Sequence, residues 1–191
     1  MGLHSHQSHP PDTTDHPLIT DTPKYYGVIT RFLHWSMAAG FAFLLFTALA
    51  WTFAEDQPWT KGLMYYHKSV GFILMVLIVL RVIWAVINHA RRPPSDSLAA
   101  KVGHLALYAL MFVVPLVAMI RQYGGARGPL EVFGVQIMQG SPTPIKWMID
   151  VGSNFHSNLA WILFALAIGH ILMVPIHRMR GNDVLPRMLG R

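Results

Sequence analysis

The chain has 191 residues, of which 53% are hydrophobic and only 13% charged, against roughly 25% charged in a soluble domain. Its formal net charge of +6 would suit a nucleic-acid partner, but basic loops on one side of a membrane give the same excess, and that partner is set aside. With no cysteine, disulfides, all-thiolate iron–sulfur clusters, thiolate zinc sites and covalent C-x-x-C-H attachment of haem are excluded.

Residues 1–24 are polar, rich in His, Pro, Asp and Thr, and contain no apolar run. They predict a disordered cytoplasmic tail rather than a signal peptide. Its His4, His6, His9 and His16 read as solvated side chains before they read as metal ligands. Four apolar stretches follow, at about 30–53, 66–88, 101–120 and 155–176. Each reaches the ~20 residues that cross a bilayer as a helix, and a helix satisfies its own backbone hydrogen bonds where lipid cannot. Residues 25–191 are therefore expected to form one all-α unit, an integral membrane four-helix bundle embedded in lipid. The long connection 121–150, rich in Gly and Pro, is expected to fold over one mouth of the bundle.

Lys and Arg set the orientation. Nine (Lys24, Arg31, Arg91, Arg92, Lys101, Arg178, Arg180, Arg187 and Arg191) lie on the side of the termini; five (Lys61, Lys68, Arg121, Arg127 and Lys146) lie on the other. The positive-inside rule then places both termini in the cytoplasm.

Eleven histidines are many for so apolar a chain, and four of them sort by depth. His34 lies near the cytoplasmic start of the first span, whereas His67 and His156 open the second and fourth spans at the outer side. His170 follows His156 by fourteen residues, about 21 Å deeper and within about 40° of the same helix face. His67 and His156 thus share an outer layer, and His34 and His170 an inner one. Two imidazoles at one depth on different helices can clamp a haem iron from both sides. A proton pathway or a non-haem metal site would use the same side chains, although the one-turn histidine spacing of helix-borne metal sites is absent from these spans.

Arg81 lies fourteen residues after His67 and so returns to the inner layer. The spans contain no acidic residue, so a haem propionate is a candidate partner for its guanidinium; snorkelling to the headgroups is the alternative. Gly71 and Gly152 lie one turn from His67 and His156, where a flat macrocycle or ordinary helix–helix approach would each require a small residue.

The stretches RFLHW (Arg31–Trp35), HKSVGFILMVLIVLRVIW (His67–Trp84), GHLALYALMFVVP (Gly103–Pro115), HSNLAWILFALAIGHILMVPIH (His156–His177) and RMLGR (Arg187–Arg191) together resemble the bacterial cytochrome b561 family. The loop RQYGGARG (Arg121–Gly128) stands where many members carry a Ser-Gly-aromatic turn. The resemblance implies a multi-pass protein of the bacterial inner membrane with two haem b groups, whose axial ligands are His34, His67, His156 and His170. It also implies electron exchange with a quinone, ubiquinone in one member type.

On this reading the chain is a di-haem cytochrome moving electrons between the quinone pool and a donor or acceptor at the periplasmic face. A superoxide:ubiquinone oxidoreductase is the alternative of like chemistry, its anionic substrate drawn by the outer lysines and arginines. A haem-free proton or metal transporter is the alternative of another class. His104 and His177, both towards the cytoplasmic end, are candidates for a quinone pocket, where an imidazole donates a hydrogen bond and a proton; facing the headgroups is their plainer role.

Overall fold

The computed structural model describes residues 19–95 and 97–190. The tail histidines His4, His6, His9 and His16 lie outside the described residues, as does Arg191. Four long helices, α1 (Val28–Ala54), α2 (Pro58–Ile87), α3 (Leu98–Gly124) and α4 (Lys146–Met179), are each long and apolar enough to cross a membrane. A two-stranded hairpin, β1 (Leu130–Val132) and β2 (Val135–Met138), joins α3 to α4, and a short α5 (Leu185–Leu189) follows. This is a membrane helical bundle.

The helices outrun the expected spans. Helix α2 starts at Pro58 instead of near 66, and α4 at Lys146 instead of near 155. Hydropathy marks only the lipid-immersed length, whereas a helix continues into the headgroup zone wherever nothing stops it. Pro58 fits the first turn, where its missing N–H costs nothing. His67 and His156 consequently sit well inside their helices rather than at the first turn.

Apolar side chains point outward over much of the bundle: Phe53 is 82% exposed, Val86 70% and Leu105 68%. In water such a surface would be an aggregation hazard, and in a membrane it is the lipid contact. The small core consists of Met37, Leu74 and Ile78, flanked by Phe41, Leu44, Val70, Leu77, Tyr108 and Met111. It joins α1, α2 and α3.

The connection 121–150, expected to be a loop, carries regular structure. Phe133 (φ 48°) and Gly134 (φ 83°) turn the hairpin with two positive φ angles in succession, the requirement of a type I′ turn. The tip is pinned to α2 beside His67. Gly134 N–H donates to the Tyr65 hydroxyl (2.8 Å), Phe133 N–H to the Ser69 hydroxyl (3.4 Å), and the Phe133 ring meets Tyr66.

At the opposite end, residues 19–24 are fixed, although they were expected to belong to the disordered tail. Asp21 is 2% exposed. It accepts from Gly27 N–H (2.8 Å) and the Thr30 hydroxyl (2.7 Å) and pairs with Arg92 (3.1 Å). The Trp84 indole donates to the same Thr30 oxygen (3.0 Å), so one carboxylate and one hydroxyl tie the start of α1 to the end of α2. The end of the chain closes on α1 as well. Tyr26 N–H, the Arg31 guanidinium and the Trp35 indole donate to the carbonyls of Arg187 (3.1 Å), Leu189 (2.7 Å) and Met188 (3.2 Å).

Candidate functional site

Helix α4 packs closely along α3, α1 along α2, and α2 on α3; no comparable packing joins α4 to α1 or α2. A slot therefore separates α4 from the α1–α2 pair. Phe41 of α1 and Phe164 of α4 meet across it at 4.9 Å between ring centres. They stand between two histidine pairs and divide the slot in two.

On the tail side of that divide, His34 of α1 faces His170 of α4 with ring centres 6.3 Å apart. On the hairpin side, His67 of α2 faces His156 of α4, also at 6.3 Å. A metal–imidazole nitrogen bond of about 2 Å, plus about 1 Å from nitrogen to ring centre, puts two axial imidazoles on one iron about 6 Å apart. Both pairs fit a haem clamp. Two imidazoles alone leave a bare ion under-coordinated, and no group of three or more ligating side chains that could hold one is found among the described residues. A porphyrin supplies the other four nitrogens itself.

The hairpin-side pair is already in ligand form. The Thr47 hydroxyl donates to the Leu44 carbonyl (2.9 Å), so its oxygen must accept from Nδ1–H of His67 (2.7 Å). Nδ1 of His156 donates to the Val114 carbonyl (3.1 Å), which can only accept. Both Nδ1 atoms thus carry the proton, and both Nε2 lone pairs are free for a metal. Gly71, one turn past His67, has open space where a Cβ would stand. Gly152 has a different role: a Cβ there would collide with the Arg121 side chain, so this glycine serves the approach of α3 to α4.

Around the tail-side pair, Arg81 is 8% exposed. Its Nε donates to the Tyr108 hydroxyl (3.3 Å), its guanidinium lies over the Tyr108 ring (5.7 Å), and its Nη1 is buried with no hydrogen-bond partner among the described residues. A buried guanidinium nitrogen without an acceptor is costly, and a carboxylate entering the slot from a ligand would supply one. Burial of Arg81 is the opposite of snorkelling. His104 of α3 stacks edge-on against His170 at 5.2 Å, with its Nδ1–H bonded to the Ala100 carbonyl (2.7 Å). His177 lies in the last turn of α4 and makes no ring contact with this group among the described residues.

Sequence reasoning missed Thr47, the Val114 carbonyl and Tyr108. Thr47 was within reach of it: a lone polar residue thirteen positions after His34 lies at the depth of the other histidine layer.

A sequence model of the family described as prokaryotic cytochrome b561 matches residues 25–191. Cytochrome b561 homolog 2 of Escherichia coli (strain K12) is 32% identical over 180 residues, covering 90% of this chain and 95% of that protein.

Proposed function

The chain belongs to the prokaryotic cytochrome b561 family, membrane proteins that bind haem b and transfer electrons, and on that premise we propose that it holds two haem b groups and carries electrons from one membrane face to the other. His34 and His170 would hold one haem, His67 and His156 the second, with Arg81 countering a propionate of the first. The observation that carries this reading is the pair of equal 6.3 Å imidazole separations on the two sides of the Phe41–Phe164 contact. Haem, when bound, supplies a reversible one-electron couple; the protein's part is to hold, space and tune it. The membrane is the bacterial inner membrane, with both termini in the cytoplasm by the bias of Lys and Arg.

The quinone is assigned to the tail side. A groove of about 210 Å³ between α2 and α3, lined by Ile78, Val79, Val82, Ile83, Tyr108 and Phe112, offers an apolar berth that ends at Tyr108 and so near His104. His104 is the first choice as hydrogen-bond and proton donor, and His177 the second. Ubiquinone fits this berth in chemical class.

One observation favours superoxide as the partner at the hairpin face. The acidic residues of that face do not neutralise its cations evenly: Lys146 takes Asp150 (2.6 Å), while the exposed Lys68 and Arg127 have no ion-pair partner among the described residues. An anionic substrate would be drawn there.

Pyridine haemochrome analysis of purified protein tests the main reading: two haem b per chain are expected, in low-spin six-coordinate form. One haem per chain would defeat the two-haem reading, and none would restore a haem-free transporter.

A further inference from the structure

Among the described residues, three arginines keep a buried side-chain nitrogen without a hydrogen-bond partner: Arg31, Arg81 and Arg121. Arg81 belongs to the tail-side layer. Arg121 stands at the end of α3, on the hairpin side. It lies seven residues, and hence two turns on nearly the same face, beyond Val114, whose carbonyl anchors His156. The stem of Arg121 crosses α4 at Gly152, where any larger residue would collide with it. Gly152 is one turn before His156 on the same helix.

The neighbouring cations behave differently. Lys68 is exposed and donates to the Gln122 side chain (3.0 Å), and Arg127 is exposed. Arg121 is partly buried, with its Nε closed off from solvent.

Resting on the two-haem reading above, we infer that Arg121 is the counter-ion of a carboxylate on the ligand held between His67 and His156, and that Gly152 is the gap that lets it reach that carboxylate. Arg121 is a positioning residue. A guanidinium pairs with a carboxylate through charge-assisted hydrogen bonds, which would satisfy the orphaned nitrogen and fix one edge of the ligand. The same cation balances the negative charge beside the iron, so it favours the reduced form. A small free anion from the aqueous phase has the same chemistry and is the competing source.

The experiment is a redox titration of purified holoprotein with the two haems resolved, comparing wild type, Arg121→Gln and Arg121→Lys. At the wild-type hairpin-side midpoint, Arg121→Gln should lower the reduced-to-oxidised ratio of that haem by about threefold or more, as expected for one charge removed from a site of intermediate dielectric. The tail-side haem should hold its midpoint and so certify the fold, and Arg121→Lys should recover part of the shift. Without its counter-ion the carboxylate titrates at higher pH, so the hairpin-side midpoint of Arg121→Gln should rise as pH falls more steeply than that of wild type. Challenge with apomyoglobin should strip the hairpin-side haem from Arg121→Gln roughly tenfold faster.

An unchanged hairpin-side midpoint in Arg121→Gln, or equal shifts of both haems, overturns the inference. So does a wild-type hairpin-side midpoint that follows added chloride or phosphate while that of Arg121→Gln does not, because the partner is then a free anion. A wild-type protein without two haems would instead bring down the two-haem reading, and the inference with it.

Discussion

The Thr47 hydroxyl lies 2.7 Å from Nδ1 of His67 and gives its own proton to the Leu44 carbonyl. Thr47 is fully buried, so no water competes for either bond, and the oxygen has only a lone pair to offer the imidazole. The ring is thereby held as the Nδ1–H tautomer and is made a stronger donor through Nε2.

Replacing Thr47 by Val keeps the branched shape but removes the acceptor. Loss of such an outer partner typically weakens metal binding 10- to 100-fold, so the hairpin-side haem should be retained less well. A poorer donor also stabilises ferric iron less, which raises that haem's midpoint. Titration of the variant should show the shift in one haem alone; a shift in the tail-side haem would contradict the assignment of His67.

The pairs themselves are separable. His67→Ala or His156→Ala should remove one haem and largely spare the other, while His34→Ala or His170→Ala should do the reverse. Low-temperature difference spectra of the four variants resolve this, and the scheme fails if His34→Ala and His67→Ala lose the same component.

Arg81→Leu should lower the tail-side midpoint, because a cation beside the iron disfavours the oxidised, more positive form. Removing one partner of a buried charged pair also costs about 3–5 kcal/mol, which should appear as faster loss of that haem on heating. Tyr108→Phe takes away only the 3.3 Å bond to Arg81 Nε and should move the midpoint in the same direction by less. A larger shift at the hairpin-side haem would show that Arg81 does not serve the His34–His170 site.

Asp21 predicts a stability effect without a spectral one. Asp21→Ala removes the ion pair with Arg92 and the acceptor of Gly27 N–H and the Thr30 hydroxyl, at a cost on the order of 3 kcal/mol. Thermal denaturation in detergent should begin at lower temperature while the visible spectrum of the folded protein is unchanged. Wild-type thermal behaviour in Asp21→Ala would mean that the knot at the start of α1 is ornamental.

What was legible in the sequence follows from what the membrane enforces. The four spans announce themselves because lipid demands about 20 apolar residues, and helical periodicity is regular enough to put His67 level with His156 over long stretches. The ends of α2 and α4 were misplaced because apolar runs stop at the edge of the lipid, whereas the backbone does not. The hairpin escaped because its first turn position is filled by Phe133, where Gly or Asn would have flagged positive φ. The flanking alternation Leu130-Glu131-Val132 and Val135-Gln136-Ile137 was the available signal. Asp21 resembled any solvated acid of a polar tail, since its partner Arg92 is 71 residues away. Thr47 and Arg121 were visible as residue types, but their roles depend on which helix face meets which neighbour.

Helix α4 contributes a member to both histidine pairs. Synthesis runs from the N-terminus, so α1, α2 and α3 are made while neither clamp exists. A three-helix intermediate owns His34, His67 and His104 and cannot grip a haem between two imidazoles. If the two pairs hold haem as proposed, cofactor capture would await α4, and the α5 carbonyls would then close on α1. On that reading a chain stalled before α4 would carry no bis-histidine haem.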